Sequence, residues 1–326
     1  QKGFFEKNNL EVEIMEPADP TMPPKLVAAK KADLAVDYQP QLQMQVAEGL
    51  PLVRIATLVN SPLNSLIVLK NSGINKIEDL KGKKVGYSVS GFETVLLDAM
   101  LKSANLSEKD VELVNVNFSL SPSLMSKQVD AVIGAFRNFE LNQLKLEKEE
   151  GKVFLPEDYG VPKYDELIVV ANKDNVSQVK FKNFVKSLQE ATNYLKENPK
   201  ESWEAFISYK PKELDNELNR LAWADTLPYL APNPATFDKK VYEQMALFMK
   251  QAIQTPYFMD FFNQKSHDIP PTNMQNDIRY LHNKNGFLNG KRYYYGLIAS
   301  KTGWTTQAKH TLVTVAKRGS RVLIVV

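Results

Sequence analysis

The fold of this chain is most constrained by the alternation of short apolar runs with short helical segments over its first 170 residues. The sequence predicts strands at residues 10–15, 33–36, 52–59, 66–69, 84–87, 111–117, 129–135 and 167–171. It predicts helices between them at residues 23–31, 39–48, 93–103, 124–127 and 139–150. Strands that alternate with helices favour an α/β protein with a mainly parallel sheet.

The pattern after the last of these strands is helical. Helices are predicted over residues 180–207, with a break at Pro199, and over residues 213–223 and 239–252. A chain that leaves one α/β lobe, builds a second and returns predicts two lobes with a ligand cleft between them. We predict that residues 1–83 and 171–252 form the first lobe and that residues 84–170 form the second.

Composition excludes several classes of function. The 326 residues carry a net charge of +3, which gives no electrostatic case for binding nucleic acid or an anionic membrane. The absence of cysteine excludes disulfides, thiolate metal sites and cysteine nucleophiles, and no histidine precedes His267. No apolar run reaches the roughly 18 residues of a membrane span. These features predict binding rather than catalysis, with no metal and no cofactor.

The two ends of the chain indicate missing structure. The segment after Gln1 resembles the end of a helix, so we expect an N-terminal truncation and a signal peptide upstream of Gln1. Residues 321–326 are a strand-like run with no closing element, which would leave an exposed apolar edge.

A turn of small residues joins the strand at 84–87 to the helix at 93–103. It contains Ser88, Ser90 and Gly91, and Glu93 follows in the first helical turn. Backbone N–H groups at such a helix start can face a ligand. The same residues would also make a plain strand–turn–helix connection.

Polar side chains follow the strand predicted at 129–135. Arg137, Asn138 and Glu140 offer a cation, an amide and a carboxylate at a strand end, the edge that faces the ligand crevice in open α/β sheets. A solvated helix start, with Glu140 favourably placed on the helix dipole, is the alternative.

Two further segments carry candidate binding residues. Tyr38, at the end of the strand predicted at 33–36, offers a ring that could stack on a flat ligand or lie half-buried in the lobe wall. Tyr164, Asp165 and Glu166 precede the return strand at 167–171, where the two adjacent carboxylates could accept hydrogen bonds from a ligand amine or simply be solvated.

Several segments, in the right order over residues 1–252, resemble substrate-binding proteins of the thiamine-pyrimidine-synthase-like group. They are GFF (3–5), LEVEI (10–14), AEGLP (47–51), PLNS (62–65), IEDLKGKKVGYS (77–88) and RNFE (137–140). The resemblance implies a type II periplasmic-binding-protein fold, N-terminally truncated. It also implies a periplasmic, monomeric protein that delivers a pyrimidine precursor of thiamine to the membrane subunit of an ABC importer.

The same resemblance implies a noncatalytic site. A flat, amine-bearing ring would stack on Tyr38, while Asn64, Glu140 or Asp165 pair with its polar edge. Sulfonate, nitrate and riboflavin binders share the fold and remain alternatives. The fungal pyrimidine synthases are an enzymatic branch of the group, and their cysteine-rich stretch is missing here.

The tail has a different character from about Pro256. Two strand-like runs, 312–317 and 322–326, flank Gly319 and Ser320, a hairpin signal. The segments PPTN (270–273), NKNGF (283–287) and YYY (293–295) accompany them. With the box formed by Lys301, Thr302 and Gly303, residues 257–326 resemble the C-terminal part of serine D-Ala-D-Ala carboxypeptidases, which implies a short, hairpin-rich tail.

Peptidase chemistry needs a serine nucleophile in Ser-x-x-Lys and a Ser-x-Asn element before the Lys-Thr-Gly box. The segments SQVK (177–180) and SAN (103–105) match these two patterns by letter, but both fall in binding-lobe segments and they occur in the wrong order. We therefore interpret the box as vestigial, and the chain as a binding protein rather than an enzyme. A carboxypeptidase and a nonfunctional hybrid are the alternatives.

Overall fold

The computed structural model describes residues 2–89, 91–253, 266–269, 279–282, 297–305, 309–318 and 321–325. The chain divides into two compact units, Gln1–Met249 and Lys250–Val326. No helix in these described ranges is both long enough and apolar enough to cross a bilayer.

The first unit contains eight strands and eleven helices among its described residues. The strands are β1 (Leu34–Asp37), β2 (Leu52–Val59), β3 (Asn64–Leu69), β4 (Lys84–Tyr87), β5 (Glu112–Asn115), β6 (Ala131–Phe136), β7 (Gly151–Phe154) and β8 (Leu167–Asn172). The helices are α1 (Phe4–Lys7), α2 (Pro23–Ala28), α3 (Gln39–Ala47), α4 (Phe92–Ser103), α5 (Leu120–Met125), α6 (Glu140–Leu146), α7 (Val179–Glu197), α8 (Pro199–Tyr209), α9 (Pro211–Leu214), α10 (Glu217–Thr226) and α11 (Lys239–Ile253).

The strands form two sheets. The first has the order β1-β8-β2 and is antiparallel throughout. The second has the order β5-β4-β6-β3-β7, in which β4 is parallel to β5 and β6, whereas β3 is antiparallel to β6 and β7. The prediction of a mainly parallel sheet is therefore wrong. The first strand after each connection between the sheets, β3 or β8, runs antiparallel to its neighbours. A pattern of apolar runs predicts that a segment is a strand but not the direction in which it runs.

Strand pairing locates the two connections between the sheets. The chain passes from the first sheet to the second between β2 and β3, and returns between β7 and β8. These connections lie at residues 60–63 and 155–166, whereas the predicted lobe boundaries are residues 83 and 171. The connections bring backbone from both sheets to one place, and they supply much of the candidate site.

Apolar side chains explain why each sheet is covered. Around the first sheet, Val27 of α2 and Leu42 of α3 are buried against Ile168 and Val170 of β8. On one face of the second sheet, Leu97 and Leu101 of α4 pack with other fully buried residues of β3, β4 and β6. Leu120 and Leu124 of α5 cover the opposite face. Amphipathic helices thus hold both sheets through their apolar faces.

Two sequence predictions for individual elements are wrong. Residues 10–15 form neither helix nor strand, and Ile14 is 66% exposed. An alternating apolar pattern becomes a strand only when a neighbouring strand pairs with it. The helix predicted at 139–150 ends earlier, as α6 at Leu146, and β7 follows at Gly151–Phe154, where no strand is predicted, because the charged run between them has a helical composition.

The second unit contains antiparallel strands. Strand β9 (Ser266–Ile269) pairs with β10 (Arg279–His282). Strands β11 (Leu297–Thr305), β12 (Lys309–Arg318) and β13 (Arg321–Val325) form a three-stranded sheet in that order. The predicted antiparallel pairing of the runs at 312–317 and 322–326 is confirmed as far as Val325, while Gly319, Ser320 and Val326 lie outside the described residues. Lys301, Thr302 and Gly303 lie in β11 opposite β12.

Candidate functional site

The candidate site lies where the two connections between the sheets meet. The carboxyl of Glu166, at the end of the returning connection, is fully buried. Its Oε2 accepts hydrogen bonds from the backbone N–H groups of Leu63 and Asn64, at 2.6 and 2.8 Å, and from the Tyr164 hydroxyl at 3.1 Å. One carboxyl therefore ties both connections together.

Arg137 holds the same two residues from the other side. Its Nη2 donates to the carbonyl oxygen of Asn64 at 2.9 Å, and its Nε donates to that of Leu63 at 3.3 Å. The guanidinium also makes two bonds to the carboxylate of Glu157, at 2.7 and 3.1 Å. The N–H groups of Leu63 and Asn64 thus donate to a carboxyl, and their carbonyl oxygens accept from a guanidinium. These bonds fix the backbone at this connection.

The fixed backbone orients the side chain of Asn64, which is fully buried. Its Oδ1 accepts a hydrogen bond from the N–H of Gly134 at 3.1 Å, whereas its Nδ2 has no partner. Oε1 of Glu166 also has no partner. An unsatisfied donor and an unsatisfied acceptor therefore lie on two residues that are joined by a direct hydrogen bond. Each unsatisfied group lowers the stability of the protein unless a ligand or water bonds to it.

Tyr38 provides the aromatic surface of the site. It lies between β1 and α3, half-buried, with its ring 4.9 Å from that of Phe92 and 6.4 Å from that of Phe136. Phe92 begins α4 and Phe136 ends β6, so rings from both sheet systems meet here. Burial and the nearby carboxyls of Glu166 and Glu93 raise the pKa of the Tyr38 hydroxyl, which stays protonated at neutral pH.

Four carboxyls surround Tyr38: those of Asp37, Glu93, Glu140 and Glu166. Burial is the main cause of their raised pKa values, which are about 8 for Glu93 and about 7 for the other three. Backbone N–H groups oppose the shift at each of them by stabilising the charged form. The site is thus acidic, and at neutral pH some of its carboxyls hold protons.

Glu93 depends on a glycine of the neighbouring strand. Ser65 pairs with Ala135 and Leu66 with Ile133, so Gly134 is the extra residue of a β-bulge, with a φ of +94°. A Cβ at this position would lie 2.5 Å from the Glu93 carboxyl. The missing side chain therefore makes room for that carboxyl.

The turn before α4 is arranged around the same carboxyl. Oε2 of Glu93 accepts hydrogen bonds from the N–H groups of Ser88 and Val89, at 2.8 and 3.0 Å. Gly91 has a φ of +105°, and a Cβ there would lie 3.1 Å from Cε of Met44 in α3. The predicted site residue Ser90 lies outside the described residues. Two of the N–H groups at this helix start, those of Ser88 and Val89, are therefore used by the protein's own carboxyl.

Other predicted site residues have protein partners. Nδ2 of Asn138 donates to Oγ1 of Thr226 at 2.7 Å, although its Oδ1 has no partner. Oδ2 of Asp165 accepts from Oγ1 of Thr57 at 2.8 Å and from the Tyr242 hydroxyl at 3.3 Å. Tyr164 is 1% exposed and donates to Glu166. Like Arg137, these residues are hydrogen-bonded to other groups of the protein.

Of the predicted site residues, Glu93 and Glu140 lie near Tyr38, and Asn64 is bonded to Glu166 beside them. The same place contains Phe92, Gly134 and Phe136, which the sequence did not single out as site residues, and the carboxyls of Asp37 and Glu166. The sequence held one signal for Glu166, because neighbouring residues of an extended chain point to opposite sides. Asp165 and Glu166 therefore cannot both face the same cleft.

No group of three or more side chains suited to holding a metal ion occurs within the described ranges. The three histidines lie in the second unit, at His267, His282 and His310.

Comparison with known proteins relates this fold and site to a family. The profile of the family described as "NMT1/THI5 like" matches residues 1–202. A Haemophilus influenzae protein named "Putative thiamine biosynthesis protein" is 68% identical over 251 residues, covering 77% of this chain and 80% of that protein. A "Formylaminopyrimidine-binding protein" of Halalkalibacterium halodurans is 36% identical over 178 residues, covering 55% and 54%.

Solved structures support the fold. The periplasmic aliphatic sulphonate binding protein SsuA of Escherichia coli superposes with a TM-score of 0.56 at 18% identity, covering 74% of this chain and 77% of that one. A Candida albicans protein described as having the generic periplasmic binding protein fold gives a TM-score of 0.60 at 15% identity, covering 78% and 84%. The predicted periplasmic-binding-protein fold is confirmed.

The comparisons also correct the prediction that this chain is not an enzyme. Relatives from Legionella pneumophila and Saccharomyces cerevisiae, 28% and 27% identical, are named 4-amino-5-hydroxymethyl-2-methylpyrimidine phosphate synthases. Because enzymes share the family, the missing cysteine-rich stretch and the late histidines do not exclude catalysis. The carboxypeptidase interpretation of residues 257–326 gains no support, since the family profile ends at residue 202. By the profile match and the 68% identity, this chain belongs to the NMT1/THI5 like family.

Proposed function

We propose that this protein captures a small, flat, amine-bearing ligand in the cleft around Tyr38, and that a thiamine pyrimidine precursor is such a ligand. The observation that carries the proposal is the unmet pair formed by Nδ2 of Asn64 and Oε1 of Glu166. A 4-aminopyrimidine presents a ring nitrogen acceptor beside an exocyclic amine donor. That edge complements the Asn64 donor and the Glu166 acceptor, while the ring stacks near Tyr38.

The acidity of the site also favours this ligand class. Asp37, Glu93, Glu140 and Glu166 surround the ring of Tyr38, and Arg137 is bonded to Glu157. A sulfonate or nitrate would bring a negative charge next to buried carboxyls, which is unfavourable. The name of the Halalkalibacterium halodurans relative fits the same ligand class.

We further propose a role in transport. The structural neighbours include periplasmic binding proteins, so we propose that the protein works in the periplasm and passes its ligand to the membrane subunit of an ABC importer. The two sheets with their helices would form two lobes that close on the ligand, and the connections at 60–63 and 155–166 would be the hinge.

Calorimetric titration of the full chain tests the ligand class. We expect 4-amino-5-hydroxymethyl-2-methylpyrimidine to bind, and taurine, nitrate and riboflavin to bind at least tenfold more weakly. Tyr38→Ala should weaken binding of the pyrimidine by about 1–2 kcal/mol, because the stacking surface is lost.

Tyr38→Phe is the matched control, since it keeps the ring and removes only the hydroxyl. Its affinity should stay within about threefold of the original, or roughly 0.6 kcal/mol. Preferential binding of taurine or riboflavin would assign the protein to a different ligand class. Equal affinity of Tyr38→Ala and the original chain would place Tyr38 outside the site.

A further inference from the structure

The site around Tyr38 contains more carboxyl groups than cationic groups. Its four carboxyls come from four places in the chain: the end of β1, the start of α4, the start of α6 and the connection before β8. The guanidinium of Arg137 lowers the pKa of Glu166, but its Nη1 and Nη2 groups donate to the Glu157 carboxylate, whose negative charge offsets that of the guanidinium. The negative charge of the site is therefore not balanced by the cation nearest to Glu166.

Glu166 is the carboxyl best placed to contact a ligand. Its Oε2 is occupied by the N–H groups of Leu63 and Asn64 and by Tyr164, whereas its fully buried Oε1 has no partner. The titratable and charged groups that interact with it come from four places: Tyr38 after β1, Glu93 of α4, Arg137 after β6 and Tyr164 of its own connection. Glu140 of α6 interacts in turn with Tyr38 and Glu93.

We infer that the ligand is bound as a cation against an ionised Glu166. The bound ligand therefore carries one proton more than the neutral ligand does. This inference rests on the proposed function, in which a basic, amine-bearing ring occupies the site. A cationic ring would supply the positive charge that the four carboxyls lack. Its exocyclic amine would donate to Oε1 of Glu166, and the ring nitrogen beside the amine would accept from Nδ2 of Asn64, while the other ring nitrogen holds the proton.

The source of that proton depends on pH. Below pH 7 the empty Glu166 carboxyl is mostly protonated, because burial raises its pKa to about 7. A neutral aminopyrimidine then takes this proton onto a ring nitrogen as it binds, and no proton is exchanged with water. Above pH 7 the carboxyl is already ionised, so the proton must come from water. The affinity then falls by up to about tenfold per pH unit.

Calorimetry in two buffers of different ionisation enthalpy measures this proton directly. With 4-amino-5-hydroxymethyl-2-methylpyrimidine as the probe, we expect less than about 0.3 proton taken up per ligand at pH 6.5. We expect an uptake that approaches one at pH 8.5. Glu166→Gln should remove the pH dependence between pH 7 and 8.5, because glutamine keeps an acceptor for Leu63 and Asn64 but cannot ionise.

Glu108→Gln is the matched control. Burial also raises the pKa of Glu108 to about 7, but this residue lies beyond the far end of α4, near Asp98 and Lys102. The control should retain the full proton uptake. Uptake that disappears in Glu108→Gln and persists in Glu166→Gln would overturn the assignment to Glu166.

A second measurement does not depend on any variant. In ¹⁵N-labelled probe bound at pH 8, a ring nitrogen should show the chemical shift of the protonated pyrimidine. A bound probe with neutral-ring shifts and no proton uptake at pH 8.5 would overturn the inference while leaving the proposed ligand class intact. Failure of the probe to bind at any pH would instead remove the proposed function.

Discussion

At the scale of single residues, the site depends on groups whose roles are visible only in three dimensions. Arg137 has the residue type of a ligand-binding cation, yet it bonds Glu157 and the carbonyls of Leu63 and Asn64. Gly134 has no side chain to suggest a role, yet its positive φ and missing Cβ make room for the Glu93 carboxyl. The residue type predicts which bonds a side chain can make. Whether it makes them with a ligand or with the protein itself depends on where the folded backbone places it.

Gly134→Ala should destabilise the protein by about 3 kcal/mol, because the new Cβ would meet the Glu93 carboxyl at 2.5 Å with φ at +94°. That carboxyl cannot easily retreat, since it accepts hydrogen bonds from Ser88 and Val89. Urea denaturation measures the loss. Gly73→Ala is the control: Gly73 has a φ of +80° and open space around it, so about 1 kcal/mol is expected. Equal losses would show that φ alone matters.

At the scale of elements, the sequence predicted most strands and helices because their apolar residues repeat with a strand or helix period. The failures have physical causes. The pattern at 10–15 needed a partner strand, and β7 follows charges typical of a helix. The antiparallel first sheet could not be predicted, because strand direction follows from the path of the chain and not from composition. Tyr38, Glu93 and Glu140 lie near one another and Asn64 is bonded to Glu166 beside them, and their role as a ligand site stays a prediction. The sequence offered Asp165 and Glu166 together, and only the geometry of the connection shows that Glu166 is the fully buried carboxyl of the two.

The pairing of Arg137 with Glu157 links the end of β6 to the connection that follows β7. Their side chains are 14% and 22% exposed, so removing one partner leaves a largely buried charge. We expect Arg137→Ala to lower the free energy of unfolding by about 2–3 kcal/mol. Lys70→Ala, which breaks the pair with Glu150 where both side chains are about 70% exposed, should change it by less than about 0.5 kcal/mol. Similar losses in chemical denaturation of the two variants would contradict this account.

At the scale of the whole molecule, the acidic site makes stability depend on pH. The folded protein raises the pKa of Asp37 from 3.8, and those of Glu140 and Glu166 from 4.5, to about 7, and it raises that of Glu93 to about 8. Between about pH 4 and pH 8 the folded state therefore binds more protons at these groups than the unfolded state. Their contribution to stability is complete below about pH 4 and is lost as the pH rises through 7 to 8.

The ligand-free protein should therefore melt at a lower temperature at pH 8.5 than at pH 6, by several degrees. Differential scanning calorimetry at half-unit pH intervals measures this fall. Glu93→Gln should reduce the slope, since glutamine can still accept from Ser88 and Val89 but binds no proton. A melting temperature that rises from pH 6 to 8.5 would mean that these carboxyls are ionised in the folded protein.

Glu166 has one further consequence, which concerns rates. Its Oε2 bonds the N–H groups of Leu63 and Asn64, and its Oε1 is the atom offered to a ligand. A ligand bound to Oε1 draws electron density from the same carboxyl that joins the two connections, so the strength of each bond affects the other. In the proposed binding protein, ligand dissociation and lobe opening would share one chemical group. A substitution at Glu166 that changes how long the ligand stays bound should then also change how fast the lobes open.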